Sequence, residues 1–345
     1  MDKKIRLLII DDSVLIRKML KEVFDNSDDI EVVGMAADPF IAREKIKQLS
    51  PDVLTLDVEM PKMNGLQFLS NLMRLRPMPV VMVSTLTEAG APATLDALEM
   101  GAVDYIAKPN AENPERFNAF AELLREKVRM AANARVQPMT AARKPRIDPA
   151  PITDTKYSKI VAVGSSTGGT EAIRELLSTI SGNCPPIVIT QHIPPVFSAS
   201  LAMRLDRNMA MEVLEAAEGL EVRPGRAIIA HGDYHLRFRR EGQKLFCVLD
   251  GSDKVNRHRP SVEVMFDSLG QLMDSSKLVA VMLTGMGADG AAAMKRLHDA
   301  GARTYAQDES SSVVWGMPKA AYDLGAVDEV LPLGKISKAI LEAAR

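Results

Sequence analysis

IRLLIIDDSVLIRKMLKEVF, residues 5–24, changes its hydrophobic period part-way along. Ile5 to Ile10 is a short aliphatic run of strand length, and from Val14 the apolar residues Ile16, Met19, Leu20, Val23 and Phe24 recur at helical spacing. Four further strand-like runs follow: EVVGMA (31–36), VLTLD (53–57), VVMVS (80–84) and VDYIAK (103–108), with helix-period stretches between them. Strands alternating with helices in this way predict a doubly wound domain, a five-stranded parallel sheet of the flavodoxin-like kind covered by helices, over residues 1–130.

Downstream the character changes. Residues 131–159 carry four prolines and six Lys or Arg against two Asp, without apolar period, so 131–156 reads as a linker and tether. A second α/β pattern, residues 157–345, opens with IVAVG (160–164), a glycine-rich turn and the helix-like TEAIRELLSTI (170–180). Later strand runs are PIVIT, RAIIA, LVAVMLT and ARTYA, and LRFRR and LFCVL are joined by Glu241-Gly242-Gln243-Lys244 as a hairpin. A mostly parallel sheet that takes in this hairpin, and is therefore mixed, is expected. GAVD occurs at Gly101 and again at Gly325, read as a shared way of ending a helix on glycine.

Composition narrows the function classes. The chain of 345 residues is 46% hydrophobic and 26% charged, which suits two globular cores. Its formal net charge is -2, and residues 156–345 hold 22 Lys and Arg against 22 Asp and Glu, so the footprint of a nucleic-acid-binding output is missing. No apolar stretch is long enough to span a bilayer, and the amino terminus lacks a secretory pattern. Two distant cysteines, Cys184 and Cys247, fit inert core thiols in a reducing compartment. A cytoplasmic, monomeric protein is the expectation.

Ligands of open α/β sheets gather at the carboxyl ends of the strands. There the first unit places Asp11 and Asp12 after its first strand, Asp57 after the third, Ser84 at the fourth and Lys108 at the fifth. Any one aspartate could merely cap a helix. Three carboxylates on one rim repel each other unless a cation joins them, and such oxygen ligands suit Mg²⁺. In order and spacing, DDS, LDVEMPKMNG, VMVS and AKP resemble the receiver domains of two-component response regulators. That resemblance implies that Asp57 accepts phosphate from a histidine kinase, and that Asp11, Asp12, Asp57 and the Glu59 backbone carbonyl hold Mg²⁺. Ser84 and Lys108 then contact the phosphoryl group, and Tyr105 reports the switch.

In the second unit GSSTGG (164–169) lies between a strand and a helix and reads as G-x-S-x-G around Ser166. The rival reading, a phosphate loop, lacks the lysine of a P-loop and the dinucleotide spacing. A nucleophilic serine needs a base and an orienting acid. His192 follows PIVITQ, with His231 after RAIIA as competitor; His258 in NRHRPS could line a substrate groove, and His298 on a helix reads as structural. For the acid, Asp289 in LTGMGADG and Asp308 after ARTYAQ both follow strands.

The segments AVGSSTGGTEAI, ITQHIPP, HRPSV, LTGMGADG and VVWGMPKAA resemble the catalytic domain of the chemotaxis protein-glutamate methylesterases, and the chain is similar to those response regulators from end to end. The resemblance selects Ser166, His192 and Asp289 as the triad and the backbone N–H groups of Thr167 and Met286 as oxyanion hole. It implies demethylation of glutamate methyl esters on membrane chemoreceptors and deamidation of particular glutamines, with no cofactor in the catalytic domain.

Overall fold

The structure is a computed structural model that describes residues 3–25, 27–60, 63–85, 91–108, 114–136 and 157–345. Most of the expected linker, and Pro61, Lys62 and Pro109 of the receiver motifs, lie outside the described residues. The chain divides into two compact units, Met1–Arg143 and Lys144–Arg345.

In the first unit strands and helices alternate: β1 (Ile5–Ile10), α1 (Val14–Asp25), β2 (Ile30–Ala36), α2 (Pro39–Leu49), β3 (Val53–Leu56), α3 (Gly65–Leu75), β4 (Val80–Ser84), α4 (Ala91–Glu99), β5 (Asp104–Ala107) and α5 (Pro114–Ala132). The sheet order is β2-β1-β3-β4-β5, and every pairing is parallel. Every residue of β3 and β4 is buried, as expected for strands with helices on both faces. The order reverses between β1 and β3, so the ends of those strands, with Asp11 and Asp57, flank the crevice where ligands of such sheets bind.

The second unit runs β6 (Ile160–Ser165), α6 (Gly169–Ser178), β7 (Ile187–Gln191), α7 (Pro195–Asn208), β8 (Glu212–Glu215), β9 (Glu221–Val222), β10 (Arg226–Ile229), β11 (His235–Glu241), β12 (Lys244–Asp250), α8 (Val262–Leu272), β13 (Leu278–Met282), α9 (Ala291–Asp299), β14 (Arg303–Gln307), α10 (Met317–Asp323), β15 (Glu329–Leu331) and α11 (Leu333–Ala343). Seven strands form a parallel sheet in the order β15-β14-β13-β6-β7-β10-β8.

One expectation is corrected here. The hairpin β11-β12 is present, but it pairs with β9 in a separate antiparallel sheet and leaves the main sheet parallel throughout. The reason is α8, which packs on the face of β6 and β7 and carries the hairpin on its other side. Leu236, Phe238, Leu245 and Cys247 of the hairpin share one buried cluster with Val262, Met265, Phe266 and Leu269 of α8. The Phe238 N–H also donates to Ser268 Oγ at 2.9 Å. The domain is mixed α/β, with its two strand arrangements in two sheets.

The two GAVD segments end α4 and α10 alike. Gly101 and Gly325 have φ of 103° and 67°, Gly101 N–H bonds Leu98 O and Ala102 N–H bonds Ala97 O, and Gly325 and Ala326 repeat this with Tyr322 and Ala321. These are the paired bonds of a glycine-terminated helix.

Candidate active site

In the parallel sheet of the second unit, the chain leaves β6 in one direction and returns to its other side with β13, so the loops after these two strands border a switch point. Ser166 follows β6, His192 follows β7, and Asp289 lies in the loop after β13.

Glycines bring these loops together. A Cβ on Gly169 would come within 2.1 Å of Gln191 Oε1, so only glycine admits the Gln191 amide. That amide joins two strand ends: Oε1 accepts from Ser165 Oγ at 2.6 Å, and Nε2 donates to Ser166 O at 2.8 Å and His192 O at 3.2 Å. His192 N–H in turn donates to Ser165 O at 3.2 Å. On the other side the loop after β13 crosses directly over the serine. Ser166 N–H donates to Thr284 O at 3.0 Å, and a Cβ on Gly285 would lie 2.8 Å from Ser166 Cβ. Thr167 and Met286 therefore flank the serine from two loops, and the Met286 N–H makes no hydrogen bond among the described residues.

Asp289 is buried and well supplied with donors. Its Oδ2 meets His192 Nε2 at 2.8 Å and accepts from Val262 N–H at 2.7 Å, while Oδ1 accepts from Asn256 Nδ2 at 2.8 Å and Ser261 Oγ at 2.7 Å. Burial alone would raise its pKa, but the bonds from His192, Asn256 and Ser261 and the His192 charge hold the carboxyl well below its ordinary value. Asp289 is thus a fixed anion, and the tautomer with a proton on His192 Nε2 suits it. The opposite nitrogen, Nδ1, is buried and without a hydrogen-bond partner. The Ser166 hydroxyl has none among the described residues either. The imidazole of His258 stacks on that of His192, centroids 3.7 Å apart and planes within 6°.

The competing candidates lie in other settings. His231 contacts Gly232 O and stands 4.0 Å from Glu215, and His298 lies 3.4 Å from both Asp299 and Asp328. The Asp308 carboxylate accepts from Ser310, Ser311 and the Ser311 N–H, closing its own turn. Sequence reading did not single out Gln191, Asn256 or Ser261. Only adjacency to His192 hints at Gln191.

In the first unit, ligand atoms of Asp11, Asp12 and Asp57 lie within 4.8 Å of one another. Lys108 Nζ, at the end of β5, is 2.7 Å from Asp57 Oδ2 and 2.8 Å from Asp11 Oδ2. Burial drives the Asp57 pKa up to about 6 against the pull of Lys108, and Asp11 adds to the rise. Burial tends to lower that of Lys108, but its bonds to Asp11 and Asp57 raise it. One ammonium shared by Asp11 and Asp57 against three carboxylates leaves negative charge in excess. Oxygen donors with unspent lone pairs fit Mg²⁺. Ser84, buried, turns its hydroxyl to Thr85 O at 3.3 Å, and Tyr105 on β5 has Lys127 Nζ 5.8 Å from its ring centre.

A family profile described as CheB methylesterase matches residues 161–340, and one described as response regulator receiver domain matches residues 7–117. The chain belongs to the CheB methylesterase family. It is 50% identical to protein-glutamate methylesterase/protein-glutamine glutaminase 2 of Saccharophagus degradans, over 99% of both chains. It is 52% identical to protein-glutamate methylesterase/protein-glutamine glutaminase 1 of Hahella chejuensis, over 98% of this chain and 96% of that one. Among solved structures, the CheB methylesterase catalytic domain of Thermotoga maritima aligns with a TM-score of 0.52 at 42% identity, covering 54% of this chain and 99% of that one. No described helix is long and apolar enough to cross a membrane.

Proposed function

We propose that this chain hydrolyses glutamate methyl esters on chemoreceptors, and deamidates particular glutamines there, under the control of phosphorylation at Asp57. Residues 1–130 form the receiver, 131–156 the linker and 157–345 the hydrolase.

The observation that carries the reading is the His192–Asp289 pair with its opposite ring nitrogen left open. Ser166 Oγ attacks the ester carbonyl carbon while His192 Nδ1 takes its proton. Thr167 and Met286 N–H groups receive the negative oxygen, and Asp289 stabilises the imidazolium. Collapse breaks the bond to methoxide, which leaves with the imidazolium proton as methanol. Water then adds to the acyl-enzyme, giving its proton to His192 and releasing glutamate and the free serine. A glutamine amide follows the same course with ammonia as leaving group.

In the receiver, a chemotaxis histidine kinase supplies phosphate to Asp57. Asp11, Asp12, Asp57 and the Glu59 carbonyl would hold Mg²⁺, which would offset the charge of the incoming group. Lys108 and Ser84 orient it, and Tyr105 follows the switch. Phosphorylation adds about 1.5 to 2 negative charges at a rim that already carries three carboxylates.

Methanol release from methylated receptor, measured with and without an acyl-phosphate donor, tests the chemistry and its control together. Stimulation by the donor and loss of release in Ser166→Ala are expected; release that survives that substitution would overturn the reading.

A further inference from the structure

The loop of residues 251–260 reaches the site through two side chains. Asn256 bonds Asp289 and His258 stacks on His192. Between them stands Arg257. Val255 and His258 exchange both backbone hydrogen bonds, at 3.1 and 2.9 Å, so Asn256 and Arg257 are the two central residues of a tight antiparallel turn. Their φ values are 51° and 70°. Two successive left-handed residues are the pattern of a type I′ turn, whose second central position favours glycine because a side chain there is strained. Asn256 has a reason to be at the first position in its bond to Asp289. Nothing in the turn itself calls for arginine at the second.

Arg257 is also uncommitted. It is exposed and makes no ion pair or hydrogen bond among the described residues, and the same holds for Lys254. Arg259, by contrast, is held by Asp233 and by the carbonyls of Gly251 and Ser252. Asp253 is the only acid in the loop, against Lys254, Arg257 and Arg259. A strained backbone at a site points to a use for the side chain it carries. Here the side chain is an exposed guanidinium on a turn whose neighbouring residues touch Asp289 and His192.

We infer that Arg257 reads the substrate, pairing with a free carboxylate of the polypeptide segment that bears the scissile glutamyl ester. This rests on the esterase reading of the same site and adds a preference for acidic segments. The planar guanidinium fork matches a carboxylate in two parallel hydrogen bonds, which an ammonium reproduces only in charge. Lys254 supplies a second positive charge on the same loop, so the encounter weakens as salt rises.

The test uses the full chain activated with an acyl phosphate, with two substrates: methylated receptor and the small neutral ester p-nitrophenyl acetate. Arg257→Ala should raise KM for the receptor about tenfold with kcat nearly unchanged, as expected for loss of a charged hydrogen bond. It should flatten the salt dependence and leave hydrolysis of p-nitrophenyl acetate as it was. Arg257→Lys should recover part of the loss. Arg257→Gly is the discriminating variant, because it relaxes the turn: a turn residue only would give full activity and a higher Tm, whereas a reader of carboxylates gives the higher Tm with the same rise in KM. Receptor hydrolysis within twofold of the unaltered protein in both the Ala and Gly variants overturns the inference, and so does equal loss on both substrates. Absence of methanol release from the unaltered protein overturns the esterase reading itself.

Discussion

His192 Nε2 and Asp289 Oδ2 are 2.8 Å apart, and the ring nitrogen on the far side of the same imidazole is buried without a partner. The pair fixes which nitrogen is left open, the one that the proposed mechanism uses as base. Asp289→Asn keeps the shape but presents an amide where an anion is needed, so kcat for methanol release should fall on the order of 10⁴-fold, the scale known for this change in a serine protease. The carboxyl also titrates below its ordinary value in the folded chain. Its contribution to stability is therefore present above the ordinary carboxylate pKa and lost as pH falls through the lower folded value. The Asn variant should accordingly melt at a lower temperature at pH 7, with the gap closing in acid.

Asn256 and Ser261 bond the other oxygen of Asp289 at 2.8 and 2.7 Å. Hydrogen bonds to a charged group are worth about 1.5 to 3 kcal/mol. Asn256→Ala and Ser261→Ala should each lower kcat by roughly tenfold to a hundredfold with KM little changed, read by initial rates on methylated receptor.

Gly285 tests the crossing of the loop over Ser166. Alanine there would set a Cβ 2.4 Å from Met317 Sδ and 2.8 Å from Ser166 Cβ. Displacing a reacting group by about 1 Å can cost on the order of a hundredfold. Gly285→Ala should show such a fall in kcat while circular dichroism remains that of a folded protein.

Asp57 gives the opposite sign to Asp289. Its pKa rises from 3.8 to about 6 on folding, chiefly through burial. The folded receiver holds that proton more tightly than the unfolded chain, so the favourable contribution exists below pH 3.8 and is lost as pH rises through 6. At pH 7.5 the buried charge costs stability, at most roughly 3 kcal/mol by the shift. Asp57→Asn removes the charge and should raise the receiver melting transition at pH 7.5 in metal-free buffer, with the difference shrinking as pH falls toward 3.8. Calorimetry of the full chain reads both.

How much of this was legible in the sequence depends on range and period. The rim residues Asp11, Asp57, Ser84 and Lys108 could be read because each follows an apolar run whose period marks it as a strand. β8, β9 and β15 went unread because Glu212–Glu215, Glu221–Val222 and Glu329–Leu331 are short and charged, without alternation long enough to count. The separate hairpin sheet was hidden because pairing partners are set by α8 packing, which no local pattern encodes. Asn256 and Ser261 lie 33 and 28 residues from Asp289, and only folding brings them to it.

Regulation makes the last prediction, and it turns on whether the hydrolase unit folds alone. A buried cluster on one face of its sheet draws, among the described residues, on Ala162 to Ala326, with partly buried Ile160 and Val327 at the margins, and Val161, Val163, Ile173, Ile187, Ile336 and Ile340 of the same unit are buried as well. A chain of residues 157–345 should therefore fold and keep the His192–Asp289 pair. If the unphosphorylated receiver restrains the site, that chain releases methanol from methylated receptor faster than the full protein. A coupling of about 1 to 3 kcal/mol corresponds to roughly 5 to 150-fold. Adding an acyl phosphate and Mg²⁺ to the full protein should close much of the gap, and Asp57→Asn should keep it open, because that variant has no carboxylate to phosphorylate. Equal or slower hydrolysis by the shortened chain, with its fold verified by circular dichroism, rules out restraint by the receiver and leaves phosphorylation to act by recruitment of substrate instead.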